Sequence, residues 1–105
     1  MNPVRVLSFD VVEQNIISTG NTNGIVRGTH NYIQLVFTYK EEWRKADKIV
    51  ISMYNSEGEQ LNEVVNNGVV KVPQEITKGS MFYFELTMKE KDVVIKTNKH
   101  YIEQT

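Results

Sequence analysis

Phe82-Tyr83-Phe84-Glu85-Leu86-Thr87-Met88-Lys89 is the stretch that decides the fold class. Phe82, Phe84, Leu86 and Met88 form an apolar set, and Tyr83, Glu85, Thr87 and Lys89 form a largely polar one. Side chains of an extended chain alternate between two faces. A period of two with one apolar face therefore reads as a strand that buries one side and wets the other. That asymmetry suits an antiparallel sheet, whose second face can meet water.

The same period recurs on either side. Ile33, Leu35, Phe37 and Tyr39 alternate with Tyr32, Gln34, Val36 and Thr38. Ile49, Ile51 and Met53 alternate less cleanly with Val50, Ser52 and Tyr54. Arg5, Leu7 and Phe9 against Val4, Val6 and Ser8 suggest a first strand covered in part on both faces. Turn residues punctuate these runs. Asn67-Gly68 between residues 63–66 and 69–72 predicts a hairpin, because a type I′ turn needs positive φ at both central positions. Asn55-Ser56-Glu57-Gly58, Lys78-Gly79-Ser80, Glu90-Lys91-Asp92 and Asn98-Lys99 mark further breaks. Helix signals are weak. Residues 40–48 are helix formers but too few to stand alone, so they read as a helical turn between strands. Gln74–Thr77 behind Pro73 reads as a second such turn, opened by the proline. Residues 18–31, rich in Gly, Asn and Thr, read as one long loop.

Seven to nine short strands with these turns imply a sandwich or a small barrel, and the expectation is one all-β domain over residues 1–105, an antiparallel β-sandwich with one or two helical turns. The chain has 105 residues, enough for one domain and too few for two. Its net charge of −1, from 12 basic and 13 acidic side chains, creates no field for nucleic acid or an anionic membrane, and neither is expected as a partner. It has no cysteine, so disulfides, thiolate metal sites and a cysteine nucleophile are excluded. The start, Met1-Asn2-Pro3-Val4-Arg5, lacks the charged and apolar segments of a signal peptide, so synthesis in the cytoplasm is expected, with any exit by another route such as lysis.

The candidates for chemistry are few. His30 and His100 have no further ligands at metal-binding spacing and read as ordinary surface histidines. No serine sits in a Gly-x-Ser-x-Gly elbow. Asp10 with Glu13, or Glu41 with Glu42, reads as solvated carboxylates. Gly20-Asn21-Thr22-Asn23-Gly24 lacks the lysine and the helix of a phosphate loop and the carboxylates of a calcium loop. No catalytic residue, cofactor or metal is therefore expected. The aromatics are the remaining feature. Tyr32, Tyr54 and Tyr83 fall on the less apolar faces of their strands, and Trp43 sits in the helical turn. These four are the candidate interaction surface, either as a stacking platform or as cover for the sheet's second face.

An ordered set of short motifs runs from residue 4 to residue 98. Gly28-Thr29-His30-Asn31-Tyr32-Ile33-Gln34-Leu35-Val36-Phe37 is followed by Glu42-Trp43 and an apolar strand ending near Tyr54. Val72-Pro73-Gln74-Glu75-Ile76, a Phe-rich strand and Thr97-Asn98 come next. This order resembles the Ig-like domains of tail, baseplate and minor structural proteins of phages and prophages of Gram-positive hosts. Ser80-Met81 departs from it, standing where a more polar loop is usual. The resemblance implies a virion building block: a baseplate, tail, head-fibre or decoration module that docks to other phage structural proteins or to itself, without enzymatic activity. Two alternatives stand beside it, a carbohydrate-binding module and a small phage-encoded inhibitor of a host protein.

Overall fold

The computed structural model describes residues 4–105. In it the polar–apolar alternation of the strands is resolved into two stacked sheets. The first sheet has the order β2-β1-β3-β6: β1 is Arg5–Val12, β2 Asn15–Ser18, β3 Ile33–Tyr39 and β6 Val69–Lys71. The second has the order β5-β4-β7-β8, with β4 Lys48–Asn55, β5 Gln60–Val64, β7 Met81–Glu90 and β8 Val93–Lys96. A ninth strand, β9 (His100–Glu103), also pairs with β7. β8 pairs with residues 87–90 of β7 and β9 with residues 81–84, so the two share one edge of that strand. A 3-10 turn over Glu41–Lys45 joins β3 to β4, and the short helix α1 (Gln74–Thr77) follows Pro73. The domain is an all-β sandwich.

The Phe82-to-Lys89 stripe behaves as its pattern requires. Phe82, Phe84 and Leu86 are fully buried and Met88 is 1% exposed, while Tyr83, Glu85 and Thr87 are only partly covered. Phe84 carries the contact between the sheets. Its ring meets Phe9 of β1 edge-on at 5.3 Å and Phe37 of β3 at 5.9 Å. Each such aromatic pair adds about 1 kcal/mol beyond the area it buries.

One strand pair departs from the antiparallel expectation. β1 and β3 run parallel, from Arg5 opposite Ile33 to Val11 opposite Tyr39. The cause is a hairpin between β1 and β2, in a stretch before residue 18 that the alternation pattern leaves unassigned. Glu13, at φ 54°, turns the chain at the end of β1, and β2 runs back beside it. The following loop thus starts from the returning strand and delivers β3 in the direction of β1. Ile25, 1% exposed, anchors that loop through a parallel bridge to Gln104.

Asn67-Gly68 also acts differently from a simple hairpin. Both residues have positive φ, 56° and 71°, as a type I′ turn needs. The flanking segments then part: β5 pairs with β4 in one sheet and β6 with β3 in the other, with only the bridge Asn66–Val69 between them. The turn is a crossing between sheets. Gly68 is buried against β3, where the Phe37 N–H donates to its carbonyl at 2.7 Å and a Cβ would lie 2.6 Å from the Phe37 carbonyl oxygen. The remaining turns are where the sequence places them, including the β4–β5 turn, which buried Asn55 organises. Its Oδ1 accepts the N–H groups of Glu57 and Glu59, and its Nδ2 donates to the carbonyl of Glu75 beside α1.

Thr97-Asn98 joins the two sheets. Thr97 keeps both backbone and hydroxyl bonded to Leu86, and the Asn98 N–H then crosses to the carbonyl of Gln14 in the β1–β2 turn at 2.9 Å. This break lets β8 end and β9 begin, and it sets the side from which Lys99 reaches the outer face.

Candidate functional site

The outward positions of β4, β7 and β9 carry tyrosine at one level of the second sheet. The register places Tyr54 opposite Tyr83, and Tyr83 opposite Tyr101. Neighbouring strands lie about 4.8 Å apart, which is close to aromatic stacking distance. The rings accordingly stack across three strands. Tyr54 and Tyr83 are 4.7 Å apart between centroids with planes 11° apart; Tyr83 and Tyr101 are 4.8 Å apart and 30° tilted. Tyr101, at the sheet edge, is 56% exposed.

Charged groups hold this ladder at its sides. The Tyr54 hydroxyl donates to Glu85 Oε1 at 3.0 Å. Partial burial, and then the hydrogen bond to the Glu85 carboxylate, raise the phenol's pKa, so it stays a donor. The Lys99 ammonium lies 5.5 Å from the Tyr54 ring centre and 5.6 Å from that of Tyr83, within cation–π range of both. Further along the face the registered positions carry no aromatic ring: Ser52 lies between Asn62 and Glu85, and Val50 between Val64, which is 51% exposed, and Thr87.

The four aromatics singled out from the sequence part company. Tyr54 and Tyr83 come together. Tyr32 does not join them; it precedes β3 in the first sheet, 40% exposed, on a cleft of about 240 Å³ shared with Arg5, Ile25 and Thr29. Trp43 is no surface residue. It is 1% exposed, its indole N–H donates to the Glu13 carbonyl at 2.7 Å, and its ring stacks on Tyr39 at 6.2 Å. The short 3-10 turn has one apolar side chain long enough to close the end of the sandwich, and the tryptophan is used for that. Trp43 belongs to the core.

Tyr101 is a candidate aromatic in the sequence, but it is not among the four expected at the surface. The alternation His100-Tyr101-Ile102 carried the signal, because Ile102 is buried and its neighbour must point out. The same alternation turns His100 inward. It is half-buried against Phe9 at 5.0 Å and Phe84 at 5.6 Å, so it is not an ordinary surface histidine. His30 is exposed and meets the Asn31 side chain at 3.1 Å. Among the described residues no three His, Asp or Glu side chains converge as metal ligands would.

No family model, no curated protein and no solved structure matches this chain.

Proposed function

We propose that the domain is a non-enzymatic docking module that seats the outer face of its second sheet on a partner subunit, in the role of a phage virion component. The Tyr54–Tyr83–Tyr101 ladder is the observation that carries the docking reading. Tyrosine is enriched in interface cores because it offers a large contact area and a polar tip at low entropic cost. Here Tyr54 and Tyr83 are already fixed by register, stacking and the flanking Glu85 and Lys99, so little of their side-chain freedom remains to be lost on association, and Tyr101 stacks at the open edge. The virion role rests on the ordered motifs between residues 4 and 98. It implies other phage structural proteins, or a second copy of the chain, as the partner.

The glycan-binding alternative is less well supported by the same geometry. Sugar platforms present ring faces to the ligand, whereas Tyr54 and Tyr83 turn theirs towards each other. A host-protein inhibitor would use the same face in the same way, and only the partner distinguishes it.

The test is mass spectrometry of purified particles from the phage that encodes this chain, with light scattering of the isolated protein. The chain in the particle, together with an oligomer or complex that Tyr83→Ala and Tyr101→Ala weaken at least tenfold, supports the reading. A strict monomer absent from particles refutes the virion role. Capture of a host protein through the same face would select the inhibitor.

A further inference from the structure

We propose that Tyr83 and Tyr101 form an oxidative cross-linking site, at which a one-electron oxidant such as a haem peroxidase with hydrogen peroxide joins β7 to β9 within one chain. This stands apart from the docking reading and does not depend on it.

The geometry supplies the two requirements of phenol coupling, which are neighbouring radicals and room for the rings to close. The radicals follow from the ladder. Tyr54, Tyr83 and Tyr101 stack at 4.7 and 4.8 Å, close enough for an electron vacancy formed on one ring to move to the next. Closure is possible at one end only. Tyr54 is held by its hydroxyl to Glu85 and lies nearly parallel to Tyr83 at 11°. Tyr101 has no side-chain partner of that kind among the described hydrogen bonds, lies in a four-residue strand at the edge of the sheet, and is 56% exposed. Its 30° tilt brings one edge of its ring towards Tyr83, and rotation about its side-chain bonds can take up the remaining approach.

The chemistry balances as follows. Each phenol gives one electron to the oxidant and one proton to water. The two phenoxyl radicals join through the ring carbons beside their oxygens. The hydrogens on those carbons then move to the oxygens and restore both phenols. One C–C bond forms, two C–H bonds break, two O–H bonds break and re-form, and the two electrons and two protons that leave reduce one hydrogen peroxide to two waters. Competing sinks are limited on this chain. It has no cysteine, Met53 and Met88 are buried, and Met81 alone of the described methionines is partly exposed.

The experiment treats the folded full-length protein with a haem peroxidase and limiting hydrogen peroxide, reads dityrosine fluorescence, and maps the joined peptides by mass spectrometry. The expected product is a monomer lacking two hydrogens, with Tyr83 linked to Tyr101, at several-fold higher yield than in the urea-unfolded chain. Tyr101→Phe, at an exposed position where the fold tolerates it, should abolish this product, and Tyr32→Phe should leave it intact. Equal yield from the unfolded chain overturns the proposal. So does a product that is mainly intermolecular, or one that joins Tyr54 to Tyr83 instead.

Discussion

Replacing Trp43 by Phe is the sharpest test of how the end of the sandwich is closed. The indole is 1% exposed and donates to the Glu13 carbonyl at 2.7 Å. Phenylalanine removes that hydrogen bond, worth about 1 kcal/mol net. It also removes three ring atoms, two of them carbon, and at ~0.8 kcal/mol per buried carbon that is roughly 1.5 kcal/mol more. Glu13 is exposed, so its carbonyl can turn to water and no large penalty for a stranded acceptor is added. The expected loss is about 2–3 kcal/mol, or ~10–20 °C in Tm for a domain near 100 residues. Urea unfolding followed by circular dichroism measures it, with the midpoint falling and the slope unchanged. In the parent protein Trp43, the sole tryptophan, also reports burial directly through emission that shifts to the red on unfolding. A loss under ~0.5 kcal/mol would refute the assignment of Trp43 to the core and return it to the surface.

Four further outcomes follow from single residues. Gly68→Ala places a Cβ 2.6 Å from the Phe37 carbonyl oxygen at a φ of 71°, so the crossing turn must shift; a loss of about 2–4 kcal/mol in denaturant unfolding is expected, and a neutral result would contradict the close approach. Tyr39→Phe removes a buried hydroxyl that has no hydrogen-bond partner, and should be neutral or stabilising by up to about 1 kcal/mol. Burial pushes the Tyr39 phenol up to about 12, so its titration leaves stability unchanged below pH 10 and lowers it as pH rises towards 12; Tyr39→Phe should flatten that alkaline loss in pH-dependent melts. Burial, the main cause, holds the His100 imidazole below its ordinary value, so the unfolded chain takes up the proton first; stability should fall as pH drops below about 6.5, and His100→Gln should reduce that slope.

The sequence alone was enough for the class of fold, because burial acts residue by residue. Alternation at Phe82-to-Met88 names the inward face, and the positive-φ chemistry of Asn67-Gly68 names a turn, whatever the rest of the chain does. Helical turns at Glu41–Lys45 and Gln74–Thr77 were legible for the same local reason. Which strands pair is not a local property. Asn67-Gly68 was readable as a turn, but the parting of its arms to different sheets depends on Gly68 fitting against Phe37, a residue 31 positions away. The parallel pairing of β1 with β3 follows from a two-residue turn whose only local sign is a glutamate at positive φ.

The candidate site divides along the same line. That Tyr54 and Tyr83 point away from the core was visible in the alternation. That Trp43 does not could be decided only by the packed end of the sandwich, since an aromatic ring in a short turn is equally suited to either environment. Stacking of Tyr54 on Tyr83 and of Tyr83 on Tyr101 is a matter of register, which fixes residues 29 and 18 positions apart at one level of the sheet. The sequence by itself determined which side chains face outward, because that depends on a period of two. Only the tertiary structure decided which of them meet, because register is set by turns and cross-sheet contacts far from the residues it brings together.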